Sequence, residues 1–87
     1  MKGEELITNN IILWDTKYGS IECNLKKIMQ KRKINIYQLA RITNLRYEVI
    51  DKYYHNKVKR YDSIVLAKLC FSLECSLDDL LKYYSSN

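Results

Sequence analysis

Backbone punctuation is scarce in this chain. Its 87 residues contain no proline and only two glycines, Gly3 and Gly19. Proline breaks helices and glycine weakens their interiors, so this scarcity favours long uninterrupted helices over a turn-rich sheet. The length suits one domain with one modest core. An apolar content of 47% with 29% charged residues is ordinary for a folded chain and argues against global disorder.

Residues 1–20 differ in character from the rest. Asn9 and Asn10 precede the apolar run Ile11, Ile12, Leu13 and Trp14. Residues 15–20 are turn-like, and Ile21-Glu22-Cys23 alternates apolar with polar. Apolar, partly β-branched segments on either side of a glycine-containing turn predict a short hairpin or an extended arm. A lone two-stranded hairpin is marginal in water, so the arm must pack on a helical body or on a second copy of the chain.

Residues 21–84 read as a separate, helical unit. Asn24 is placed to cap a first helix to about Lys33, with Leu25, Ile28 and Met29 on one face. Asn35 caps a second, with Gln38 in the capping-box position, and Leu39, Ala40, Ile42 and Thr43 complete it. Asn44 sits where the chain must turn sharply, in a conformation asparagine tolerates well. Residues 46–54 form a third helix with Val49, Ile50 and Tyr53 inward and Asn56 as its stop. Asp62 caps a fourth, whose inner face is Val65, Leu66, Leu69, Cys70 and Leu73. Ser76 and Asp79 make another capping box, opening a short fifth helix through Leu80, Leu81 and Tyr83. The expected class is all-α: five helices with a short N-terminal β or extended arm.

Charge is concentrated in one region. Residues 25–61 hold eleven Lys and Arg against two acids, Glu48 and Asp51, a local net charge of +9 in a chain whose total is +5. Such a balance points to an acidic polymer, either nucleic acid or an anionic membrane. The run at residues 11–14 is far too short for a signal peptide core or a ~20-residue span, so no membrane partner is expected. Cys23, Cys70 and Cys75 are odd in number and lack C-x-x-C spacing, which indicates neither a disulfide framework nor a zinc knuckle. Packed, reduced thiols in a cytoplasmic protein are expected. His55 is the only histidine. With no metal cluster, phosphate loop or nucleophile–base pair in the pattern, the reading is that the chain is no enzyme, uses no cofactor or metal, and has no evident small-molecule ligand.

The segment Asn35-Ile36-Tyr37-Gln38-Leu39-Ala40-Arg41-Ile42-Thr43-Asn44-Leu45-Arg46 resembles the polar-x-x-x-Leu-Ala-x-x-Thr-Gly-Ile-Ser signature of Cro- and phage-repressor-type (XRE-like, lambda-repressor-like) helix-turn-helix proteins. Residues 61–81 resemble the fourth and fifth helices of small members of that group. The likeness spans residues 21–83 and leaves the first twenty aside. Two positions depart from the pattern. Asn44 stands at the turn glycine, and Arg46 stands at the Ser/Thr cap, where it cannot accept a bond from the free N–H groups of the next helix.

The resemblance implies that Tyr47, Glu48 and Lys52, on the outward face of the third helix, match positions that reach base edges. The chemistry suits them: lysine donates to guanine, glutamate accepts from cytosine, and an aromatic ring can contact a thymine methyl. Glu48 and Lys52 also form an i, i+4 pair, which supports a helix whether or not it meets a ligand. Asn35, Arg46, Lys57, Lys59 and Arg60 are the candidates for phosphate contacts, which set position without reading sequence. Asp51 is a solvated acid or a discriminator against wrong sites, and Ala40 is small where two helices must cross.

The expected function is sequence-specific binding of double-stranded DNA by a transcriptional regulator, a repressor, working as a homodimer on two half-sites. The leading dimer contact is the N-terminal arm. The rival is a protein-interaction module on the same fold, such as an antirepressor or an antitoxin-like partner, using Glu48 and Asp51. Salt-dependent retention on heparin or random duplex separates the two.

Overall fold

Four of the five described helices run out into left-handed residues that are not glycine. A computed structural model describes residues 18–86. Among them the order is β1 (Ser20–Cys23), α1 (Leu25–Arg32), α2 (Ile36–Thr43), α3 (Tyr47–Tyr54), α4 (Ser63–Leu73), α5 (Leu77–Leu80) and β2 (Leu81–Tyr84). The long helices that scarce glycine predicts do not form; α1, α2 and α3 have eight residues each. Lys33, Asn44, Asn56 and Glu74 each take a φ between +52° and +59° and turn the chain out of a helix. At Asn56 the closure is a Schellman pair: the Lys57 N–H donates to Lys52 C=O at 2.8 Å and the Asn56 N–H to Tyr53 C=O at 3.2 Å. Glycine is favoured at such positions but not required, and asparagine is the usual substitute.

Starts are set by side chains, with two exceptions. Asn35 and Ser76 each complete a reciprocal capping box, with Gln38 and Asp79. The Asp62 carboxylate accepts from the N–H groups of Ile64 and Val65. Hydrogen bonds from the Ser76 backbone N–H and side chain hold the Asp79 carboxyl pKa below its usual range. Asn24 does not cap α1 as its type suggests. Its side chain makes no cap bond, and its backbone N–H instead donates to Leu80 C=O at 2.7 Å, closing the two ends of the domain onto each other. The second exception is Arg46.

One core lies between the helices. Leu25, Met29, Leu39, Ile50, Leu69 and Leu80 are fully buried, with Tyr53, Val65, Leu73 and Cys23 close behind. This matches the inward faces read from the periodicity, except that Ile28, Val49, Leu66 and Cys70 are only half-buried. Thr43 is the one buried polar residue among those described. Its hydroxyl donates to Leu39 C=O at 2.7 Å and accepts from Leu45 N–H at 3.3 Å, so it ties the end of α2 to the turn. α2 lies against both α3 and α4.

The all-α expectation needs correcting at the chain ends. β1 pairs antiparallel with β2, Ser20 opposite Tyr84 and Cys23 opposite Leu81. Leu81 and Tyr83, read as the continuation of the fifth helix, are therefore strand. The capping box and Leu77/Leu80 spacing start α5 correctly, but the sheet stops it after one turn because Ile21-Glu22-Cys23 offers a ladder. Residues 11–14, expected to flank the same turn, lie outside the described residues. Gly19 has a φ of +89°, and a Cβ there would collide with the Tyr84 carbonyl and sit 2.8 Å from the Tyr83 hydroxyl. That hydroxyl donates to Tyr18 C=O at 2.8 Å, fastening the strand pair at its open end.

Candidate nucleic-acid interface

Helix α3 buries Ile50 and Tyr53 and turns Tyr47, Glu48 and Lys52 outward. The three residues expected to read bases are thus on one exposed side. Glu48 lies in the first turn and Lys52 in the last, each at the end of the helix where its charge is favoured. Among the described residues they form no ion pair with each other. The i, i+4 pair that α3 does form is His55 Nδ1 with Asp51 Oδ1, at 3.2 Å. His55 Nδ1 also lies 3.1 Å from Asp51 C=O. Asp51 is half-buried and turned toward His55, so its charge is partly occupied within the helix.

The C-terminal end of α3 opens into a cationic groove. Lys52, Lys57, Lys59 and Arg60 line it together with Tyr53 and Asp62. One expected base reader and three expected phosphate contacts therefore share a surface, brought together by the turn at Asn56. Two bonds keep that turn in place. The Asn56 side-chain oxygen accepts from Cys23 N–H at 2.9 Å, and the Tyr53 hydroxyl accepts from Asp62 N–H at 3.0 Å. The Tyr61 ring sits 5.9 Å from that of Tyr53, and burial pushes its phenol pKa up.

The N-terminal end is built differently. Arg46 has an extended backbone and makes no side-chain cap bond, as its type requires. Its C=O accepts from Val49 and Ile50, but the first N–H groups of α3 lack a capping side chain. Beside it the ring of Tyr47 packs on that of Tyr37, which projects from the first turn of α2, with centroids 4.7 Å apart and planes inclined at 42°. An aromatic pair contributes about 0.5–1.5 kcal/mol, comparable with the ~1 kcal/mol lost with a missing cap. The pairing tethers the helix start from the side. It leaves Tyr47 38% exposed and Tyr37 71% exposed. Partial desolvation, then the neighbouring Tyr37 and Asp51, raises the Tyr47 phenol pKa.

Asn35 and Arg46 are exposed near this end. The Asn35 side-chain oxygen accepts from Gln38 N–H at 2.8 Å and its backbone N–H donates to Gln38 Oε1 at 2.9 Å, so the amide NH2 is the donor left for a phosphate. The structure thus separates the expected residues into two groups, one at each end of α3. Sequence reasoning missed Tyr37 altogether. It lies ten residues before Tyr47, a spacing no helical or strand period connects; its only signal was a large aromatic residue at a polar, exposed helix start.

The three cysteines are free, and burial raises the thiol pKa of Cys23 and of Cys75. Among the described residues no helix is long and apolar enough to cross a membrane.

No curated protein matches the chain. A family model for the Cro/C1-type helix-turn-helix DNA-binding domain matches residues 24–86. That span holds α2, the Asn44 turn, α3 and both clusters around it, and the chain belongs to the Cro/C1-type helix-turn-helix DNA-binding family.

Proposed function

We propose that this protein is a sequence-specific regulator of transcription, a repressor, that places α3 in the major groove of double-stranded DNA. The observation that carries this reading is the exposed side of α3: Tyr47, Glu48 and Lys52 point outward beside a groove lined by Lys57, Lys59 and Arg60. Base edges would be read by the first three, while the groove cations, Arg46 and the Asn35 amide hold phosphates. It is a binding function rather than catalysis.

A homodimer on half-sites ~34–36 Å apart is the working form we propose, since one module buries little surface on DNA. Its support on the protein side is α4, which is apolar nearly all round, as buried helices are, yet leaves Ile64 and Phe71 exposed. Phe71→Asp reducing the solution mass by half supports pairing through α4. An unchanged mass returns the question to residues 1–20.

Selection from a randomised duplex library tests the main reading. An enriched two-fold motif supports it, a single half-site argues against the dimer, and no enrichment refutes specific recognition. Binding to random duplex that is weak and indifferent to salt would favour the protein-interaction reading instead.

A further inference from the structure

We infer that Tyr37 is a positioning residue for sequence reading: its ring holds the Tyr47 ring in one orientation, so that the two act on DNA as a single unit. This rests on the reading of α3 as the recognition helix and adds a residue that the pattern of α3 does not contain.

The tyrosine pair joins the starts of two different helices. Tyr37 comes from the first turn of α2 and Tyr47 is the first residue of α3, with the Asn44 turn and the uncapped Arg46 between them. A side chain at an uncapped helix start would ordinarily sample several rotamers, because the backbone beneath it frays. Ring centroids 4.7 Å apart restrict that sampling. Tyr47 keeps enough exposure, 38%, to meet a ligand, while Tyr37, at 71%, makes its principal ring contact with Tyr47. Nothing in this arrangement buries Tyr37 for the sake of the core, so its ring is held at the surface by the pairing. A fixed aromatic edge discriminates a thymine methyl from the other base edges better than a mobile one, since less order must be imposed on binding.

The test compares full-length wild type with Tyr37→Ala, Tyr37→Phe, Tyr47→Ala and the double alanine variant, in selection from randomised duplex followed by titration of single-base variants of the selected site. Tyr37→Ala should lower discrimination by about 3- to 10-fold at the same base pair that Tyr47→Ala affects. The double variant should be no worse than Tyr47→Ala alone, because the two residues form one unit. Tyr37→Phe should retain the wild-type preference, as the ring rather than the hydroxyl makes the contact. In protein labelled at the tyrosine ring carbon bearing oxygen, Tyr37→Ala should also bring the Tyr47 phenol titration down toward its ordinary value. Unchanged discrimination in Tyr37→Ala, or a loss spread equally over all sequences, overturns the inference while leaving α3 as the reading helix. A wild-type protein that enriches no motif removes the recognition reading and this inference with it.

Discussion

The two ends of α3 solve the same problem by opposite means. At the C-terminal end the backbone closes itself: Asn56 turns left-handed, the Schellman bonds form, and Cys23 and Tyr53 lock the following loop through Asn56 and Asp62. At the N-terminal end the backbone is left open at Arg46, and an aromatic contact with the preceding helix does the fastening. The closed end presents four cations around a turn whose backbone is held by hydrogen bonds. The open end presents two tyrosines whose placement depends on each other. Charge tolerates a displacement of an ångström because Coulomb attraction falls off slowly, whereas a methyl contact does not. Affinity is therefore expected from the closed end and much of the selectivity from the open one, with Lys52 contributing to both.

The largest expected effect tests that division directly. Replacing Lys57, Lys59 and Arg60 together by alanine should flatten the logarithmic salt slope of DNA binding by about three units. Over 50 to 200 mM salt that removes about 60-fold of the salt-driven loss, equally for every duplex. Titrations by fluorescence anisotropy at several salt concentrations would show it, and a sequence-dependent loss would break the comparison. Lys52→Ala should instead reduce discrimination at one or two base pairs by ~1–3 kcal/mol, read from competition among single-base variants of the selected site.

Stability variants sharpen the contrast between the two fastenings. Thr43→Val leaves the Leu45 N–H without its acceptor at the entrance to α3 and should cost about 1–3 kcal/mol in urea unfolding. Tyr53→Phe removes only the Asp62 bond at the exit and should cost about 0.5–1.5 kcal/mol, with the salt slope slightly reduced as the basic loop loosens. The smallest effect has the opposite sign. Arg46→Ser supplies the missing cap and should raise stability by ~1 kcal/mol in the same assay. If Arg46 grips a phosphate, the same variant weakens binding to all sequences alike. A destabilised Arg46→Ser would mean that the helix start is not short of a cap.

Much of this architecture was legible in residue types because the signals are local. Asn35 with Gln38, Ser76 with Asp79, and Asp62 form their caps within a few residues, so short-range chemistry suffices to place α2, α4 and α5 at their starts. The inward faces of α3 and α4 follow from helical period, and so do the outward positions of Tyr47, Glu48 and Lys52. Localisation of the positive charge needs no structure at all.

What the chain alone determined, then, is whatever contacts reach no farther than one helical turn: five helical segments, their buried sides, and a basic centre. Tertiary structure decided the rest. Leu81 and Tyr83 carry an acceptable helical pattern until Ser20–Cys23, some sixty residues away, supplies a strand partner. Asn24 is a good cap by type, but its backbone is drawn to Leu80 across the whole domain, and Asn56 serves Cys23 as well as its own helix. Tyr37 meets Tyr47 only because the turn at Asn44 folds one helix start over another. Each of these depends on which distant groups are brought within bonding distance, and that is settled by closing the shared core rather than by the preferences of any single segment.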